Sequence, residues 1–162
     1  MMRQDDPFKC TAAKLVKFRL VEPVRTIRSN WIVLNPYATD YLLKSDAMIA
    51  DCICAIDCSW EKADGEFKHQ RIIAGGIGRK LPPLLAANPV NYSKLGKLSS
   101  AEALAGALYI LSQKDLAAEL MDKFKWGHTF LELNANLLED YAQAEKQQEI
   151  PEIVVQYFPN LS

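Results

Sequence analysis

Two stretches of the chain carry residue types that could do chemistry. The run CICAID, 52–57, is apolar up to its last residue, and Asp57 is followed by Cys58, Ser59 and Trp60. Such a run predicts a buried, parallel strand. Asp57 then stands at a strand's carboxyl end, where open α/β sheets bind their ligands. The second stretch, 81–92, reads LPPLLAANPVNY and is too apolar for a surface loop. Pro82, Pro83 and Pro89 rule out a helix through it, because each removes a backbone donor and biases the residue before it toward extended geometry. Its backbone is expected to be partly unpaired. An apolar wall with free amides and carbonyls suits a flat heterocycle, which needs stacking surface on its faces and hydrogen bonds at its edge. The alternative is a buried edge strand and turn.

Other chemistries find little support. Gly76, Ile77 and Gly78 lack the third glycine of a dinucleotide fingerprint, and no Gly-Lys-Ser/Thr closes a phosphate loop, so this cluster reads as a flexible connection. Cys52, Cys54 and Cys58 fall at even spacing, on one face of a strand, and read as reduced, packed thiols. His69 and His128 are far from any cysteine in sequence, and no metal site is expected.

The elements that must position these residues follow from pattern. Thr11 is an N-cap for a short helix over 12–20, ended by Pro23. Trp31–Leu34 is a β-branched, apolar run stopped by Asn35 and Pro36, a strand whose end brings Leu34 and Pro36 to a sheet edge. Helical turns are expected over 39–44 and from Ser45 and Asp46, and a polar helix over 61–70. The segment 79–110 is the hinge of the chain, where the proline-punctuated stretch gives way to helical sequence. Ser99 with Glu102, Ser112 with Asp115 and Thr129 with Glu132 each place a hydroxyl three residues before a carboxylate, the capping-box pattern. They predict helices over about 100–111, 113–124 and 130–147, with Gly127 separating the last two and Pro151 following the last. Leu104, Ala107, Leu108 and Leu111 form one apolar stripe, and Phe130, Leu133, Leu137 and Tyr141 another. The fold class is therefore α/β: a lobe of residues 1–80 with a mainly parallel sheet, and an all-helical lobe of residues 81–162, packed as one unit with the pocket between them.

Four blocks carry a resemblance. Asp57-Cys58-Ser59-Trp60, the stretch Leu81-Pro82-Pro83-Leu84-Leu85-Ala86-Ala87-Asn88-Pro89-Val90-Asn91-Tyr92, then Leu98-Ser99-Ser100-Ala101-Glu102-Ala103, and Lys123-Phe124-Lys125-Trp126-Gly127 resemble, in order and spacing, the ribosomal-RNA aminocarboxypropyltransferase family. The match runs nearly end to end. It implies an enzyme of ribosome biogenesis that moves the 3-amino-3-carboxypropyl group of S-adenosylmethionine, not its methyl, to a uridine or (methyl)pseudouridine of small-subunit rRNA. It also implies a fold similar to the SPOUT methyltransferases, with a trefoil knot. A SPOUT-type RNA methyltransferase, or a non-catalytic rRNA-binding assembly factor with a decayed pocket, is the alternative, and the intact Asp57, Trp60, Asn88 and Pro89 argue against decay.

The resemblance assigns residues one by one. Thr11 corresponds to a contact at the carboxylate end of the cofactor, and its alternative role is a simple cap. Leu34, Pro36, Leu81, Leu98 and Ala103 match an apolar adenine pocket, and backbone groups of Ile56, Leu81, Gly96 and Ser100 match its polar contacts. Trp60 fits the burial of the sulfonium and methyl, by dispersion and cation–π attraction, or is a core tryptophan. Asp57 is the catalytic candidate, as general base, ribose contact or counter-charge.

At 162 residues, 49% hydrophobic and 24% charged, the composition is that of a soluble globular protein with room for one core. No apolar run approaches the roughly 20 residues that span a bilayer, and the start MMRQDDPFK leads into no apolar signal segment, so a cytoplasmic protein with no membrane partner is expected. The net charge of −1 divides unevenly, +3 over residues 1–80 and −4 over 81–162. Lys9, Lys14, Lys17, Arg19, Arg25 and Arg28 stand against Glu22 alone in the stretch 9–28, enough to neutralise several phosphates of an rRNA or pre-ribosomal particle. The other reading is a solvated helix face. Replacing Lys14, Lys17 and Arg19 with Ala is expected to weaken RNA binding and flatten its salt dependence; an unchanged slope in a binding titration would leave only the solvated face.

Overall fold

The structure, a computed structural model, describes residues 21–22, 27–50, 52–55 and 76–161. The helix expected over 12–20, the polar helix over 61–70 and the end of the strand at Asp57 lie outside the described residues. Within them, β1 (Trp31–Leu34), β2 (Cys52–Cys54) and β3 (Ile77–Arg79) form a parallel sheet in the order β2-β1-β3. The central position of β1 explains its composition: it is paired on both edges, and Ile32, Val33 and Leu34 are buried.

Three local expectations are corrected here. The glycine cluster is not a flexible connection, because Ile77–Arg79 pairs with Ile32, Val33 and Leu34. Gly76 is needed at the entrance to β3, where a Cβ would lie 2.8 Å from both the Trp31 carbonyl oxygen and Val33 Cγ2. The helical turn expected over 39–44 is extended instead, since Lys80 N donates to Asp40 O and Leu42 N donates to Lys80 O, both at 2.9 Å. Among the described residues β2 flanks β1 on the outer side, so Cys52 is exposed and only Cys54 is partly covered, which raises its thiol pKa by desolvation. Ser45 and Asp46 do lie in a helical turn, the 3-10 turn Lys44–Met48. Asp46 ties that turn to the sheet: it is buried, accepts from Leu43 N at 2.9 Å and receives Arg79 Nε at 3.2 Å.

From Ser100 onward the described residues are mainly helical: α1 (Ser100–Ile110), α2 (Lys114–Asp122), α3 (Gly127–Leu133), α4 (Ala135–Gln143) and α5 (Glu149–Tyr157). Only the first expected capping box forms, with Glu102 N donating to Ser99 Oγ and Ser99 N donating to Glu102 Oε1. Ser112 instead takes up a left-handed backbone (φ 68°) in the tight turn before α2, and Thr129 lies inside α3, which starts at Gly127. Gly127 sits so close to the end of α2 that a Cβ would come within 1.8 Å of the Met121 carbonyl oxygen. Pro151 does not follow the last helix. It occupies the first turn of α5, where the missing N–H has no helical partner to lose.

Helix α1 is buried on nearly every side, far beyond its Leu104, Ala107, Leu108 and Leu111 stripe. Its small residues permit this. A Cβ on Gly106 would meet Leu84 Cδ1 at 2.8 Å, so the glycine sets how closely α1 approaches the hinge. One apolar cluster takes in Ile32, Leu34 and Leu42 from the sheet side with Leu104, Phe130, Leu138, Tyr141 and Ile150 from the helices. Gln147 closes the same joint with polar groups: Tyr41 N donates to its Oε1 at 2.7 Å and its Nε2 donates to Tyr41 O at 2.9 Å.

The long helix expected over 130–147 is split at Asn134, and the cause is a side chain with another task. Asn134 Nδ2 donates to Leu85 O and to Phe130 O, both at 2.9 Å, while its Oδ1 accepts from Leu85 N at 2.8 Å. The buried face runs through Phe130, Asn134, Leu137 and Tyr141, so Asn134 takes the place in the stripe expected for Leu133, which is exposed. Asn134→Ala would strip Leu85 of both partners, and we expect a loss of roughly 2–6 kcal/mol at about 1–3 kcal/mol per unsatisfied group. Urea unfolding should show a lower midpoint at unchanged slope; a wild-type midpoint would mean that water replaces the amide.

Candidate functional site

The hinge segment is an extended arm that turns back on itself. Leu85 and Leu95 form an antiparallel bridge, Gly96 N donates to Leu84 O at 2.9 Å, and Ala86 exchanges hydrogen bonds with Lys94 O and Ser93 N. Its prolines block an ordinary sheet ladder, so side chains from the helices supply the other partners. The Tyr141 hydroxyl donates to Pro83 O at 2.8 Å, Asn134 holds Leu85, and Glu102 takes the amides of Ala87 (2.6 Å) and Asn88 (3.3 Å). The expectation of a partly unpaired backbone is thus corrected for these positions. Burial pushes the Tyr141 phenol well above its ordinary pKa, which keeps it a donor.

Glu102 is the centre of this arrangement. Its carboxylate is fully buried, and its oxygens accept from Ala87 N, Asn88 N, Asn88 Nδ2 (2.6 Å) and Ser99 N (2.9 Å). Four N–H donors match the roughly four lone-pair sites of a carboxylate. The charge also lies in the first turn of α1, where the helix dipole favours it. The capping-box spacing located Glu102 on the helix, but no sequence signal pointed to its hold on Ala87 and Asn88.

Beside this clamp lies an open cleft lined by Asn35, Pro36, Leu81, Pro82, Pro83, Leu84, Gly96, Leu98 and Ala103. Pro36, Leu81, Gly96, Leu98 and Ala103, drawn from three separate parts of the sequence, therefore converge on one space. Leu34 does not line it; it is wholly buried beneath, at the end of β1. Ser100 is buried at the first position of α1. Asn35 enters as a residue that sequence reasoning missed; its Oδ1 accepts from Tyr37 N at 2.9 Å and its N donates to Arg79 O at 2.9 Å. Gly96 has φ +78°, a left-handed conformation that favours glycine. Its N–H is committed to Leu84, so a ligand contact from Gly96 falls to its carbonyl. Thr11, Ile56, Asp57, Trp60, Lys9, Lys14, Lys17, Arg19 and Arg25 lie outside the described residues. Arg28 is exposed, with its guanidinium 5.7 Å from the centre of the Trp31 ring.

The chain matches a known family. Residues 32–158 match the family model described as ribosome biogenesis protein, C-terminal. The chain is 44% identical over 160 residues to a 16S rRNA aminocarboxypropyltransferase of Thermoplasma volcanium, covering 97% of this chain and 94% of that one. It belongs to the rRNA aminocarboxypropyltransferase family. A relative of the same description from Halobacterium salinarum is 47% identical over 148 residues, covering 90% of this chain and 86% of its own length. The fold is similar to the structure of the SAM-dependent rRNA:acp-transferase Tsr3 from Vulcanisaeta distributa, with a TM-score of 0.81 and 39% identity over 94% of this chain and 85% of that one.

For this member of the aminocarboxypropyltransferase family, the clamp can be tested apart from any ligand. Glu102→Gln keeps the shape but replaces an acceptor oxygen with a donor that faces N–H groups. Hydrogen bonds to a charged acceptor contribute roughly 1.5–3 kcal/mol each, and losing about 3 kcal/mol should lower the melting temperature by roughly 6–12 °C in a protein of this size. Calorimetry showing no shift would mean that the hinge is held by Asn134 and Tyr141 alone.

Proposed function

We infer that this chain transfers the 3-amino-3-carboxypropyl group of S-adenosylmethionine to a uridine or (methyl)pseudouridine of small-subunit rRNA during ribosome biogenesis. The observation that carries the reading is the convergence of Pro36, Leu81, Gly96, Leu98 and Ala103 on one apolar cleft. These are positions that the family resemblance assigns to the adenine pocket. The relatives from Thermoplasma volcanium and Halobacterium salinarum carry the corresponding description.

The cleft suits the donor. Its walls are leucine, proline and alanine side chains that can stack on a flat base, with the Asn35 amide and the Gly96 backbone as polar groups at that surface. When bound, S-adenosylmethionine supplies a sulfonium whose aminocarboxypropyl carbon is electrophilic. Trp60 is assigned to cover the methyl group, Thr11 to hold the carboxylate end, and backbone groups of Ile56, Leu81 and Ser100 to complete the adenine contacts. Asp57 is assigned to accept the proton from the imide nitrogen of the uracil ring, a step typically worth about a hundredfold to ten-thousandfold in rate. The basic stretch 9–28 takes the rRNA backbone.

The finer architecture belongs to the same reading: a SPOUT-like trefoil knot, with an α/β lobe of residues 1–80 and a helical lobe of residues 81–162, in a cytoplasmic enzyme that needs no metal. The parallel order β2-β1-β3 and the shared core are compatible with it.

Incubation with small-subunit rRNA and two batches of S-adenosylmethionine, one labelled in the carboxyl group and one in the methyl, tests the reaction. The carboxyl label should enter RNA and the methyl label should not; methyl label in RNA would make the chain a methyltransferase. In the same assay Asp57→Asn should lose most turnover at near-normal cofactor affinity. Matched losses of rate and affinity would make Asp57 a binding residue, and full retention of both would remove it from the site.

A further inference from the structure

The two walls of the cleft are joined by a loop that the reaction outlined above does not use. Leu81 to Leu84, Gly96 and Leu98 line the cleft, and residues 88–95 lie in the chain between them. The loop is rigid where it starts. Asn88 is buried, donates from Nδ2 to Glu102 and to Lys97 O, and accepts Asn91 N on its Oδ1 at 3.0 Å. Lys94 N donates to Asn91 O at 3.0 Å, and Ser93 is held in a left-handed conformation, φ 66°, that non-glycine residues seldom adopt. This bonding fixes the loop, yet apolar side chains at its tip stay outside: Val90 is 69% exposed and Tyr92 58%.

Charge says what such a tip faces. From Phe67 to Ala101 the chain has no acidic residue and six Lys or Arg, although it carries 20 acids in all. Arg79 is engaged by Asp46, and Lys80 lies 4.2 Å from the Tyr41 ring centre, but Lys94 stands exposed two residues from Tyr92. A protein partner would be met by apolar area and mixed charge. A preorganised aromatic beside an exposed lysine, in a stretch free of acids, is instead the pattern of single-stranded nucleic-acid binding, where a base stacks on the ring and the cation meets the phosphate.

We propose that the loop 88–95 is a second rRNA-binding element, in which Tyr92 stacks on an unpaired base next to the target nucleotide and Lys94 contacts the phosphate backbone. This rests on the rRNA reading above. The rigid base matters for function, because a loop that is already ordered loses little entropy when the base settles on it.

The test uses the full chain with 16S rRNA transcribed in vitro, scoring rRNA affinity, its salt dependence and S-adenosylmethionine affinity by calorimetry. Tyr92→Ala should weaken rRNA binding by about 5- to 100-fold and leave cofactor affinity unchanged, while Tyr92→Phe, which keeps the ring face, should bind as the wild type does. Lys94→Ala should reduce the salt slope by about 1. Wild-type rRNA affinity in Tyr92→Ala would overturn the proposal, as would an effect seen only with assembled small subunits, which would make the loop a protein contact. Failure of the unaltered chain to bind rRNA at all would instead overturn the underlying function. Unchanged thermal melting of the Tyr92 variants separates a lost contact from a lost fold.

Discussion

A buried carboxylate that, among the described residues, is held by N–H groups organises this protein. Glu102 must be satisfied entirely by N–H donors, and those donors come from two places that the chain has to bring together: its own helix start at Ser99, and the hinge at Ala87 and Asn88. An uncompensated buried charge costs several kcal/mol. The hinge therefore cannot leave helix α1 without exposing or stranding that charge.

The hinge is unusual in where its hydrogen bonds go. A proline-rich segment cannot take a full place in a sheet ladder, yet burying it unpaired would be costly. Tyr141, Asn134 and Glu102, from α4, the α3–α4 junction and α1, act as a discontinuous substitute strand. Between the end of β1 and the hinge lies the cleft, with Asn35 and Pro36 on one side and Leu81 to Leu84 on the other.

That construction bears on catalysis. A transferase that must select one of three carbons on a sulfonium does so by orientation, and orientation requires walls that do not yield. The cleft walls are built on the shared core and on a carboxylate clamp, while the loop 88–95 extends from the same clamp. Pocket and loop therefore share one anchor, the Glu102 clamp at Ala87 and Asn88.

The sequence by itself determined the family and those local elements that rest on near neighbours. The apolar run Trp31–Leu34 had to be a strand, Ser99 and Glu102 had to start a helix, and the proline block could not be helical, because these follow from sterics and from hydrogen bonds between near neighbours. The family motifs also named Pro36, Leu81, Gly96, Leu98 and Ala103 before any geometry brought them together. Tertiary structure decided the rest. Ile77–Arg79 is a strand only because β1 lies beside it, and Asn134 breaks a helix only because Leu85, 49 positions away, needs its amide. Burial of α1 on nearly all sides depends on what packs against its small residues, which no periodicity within the helix encodes. Glu102 shows the division most clearly: three-residue spacing revealed its bond to Ser99, whereas its bonds to Ala87 and Asn88 depend on a long-range approach of two segments. Local spacing carries no record of that approach, because the free energy that enforces it belongs to the assembled core.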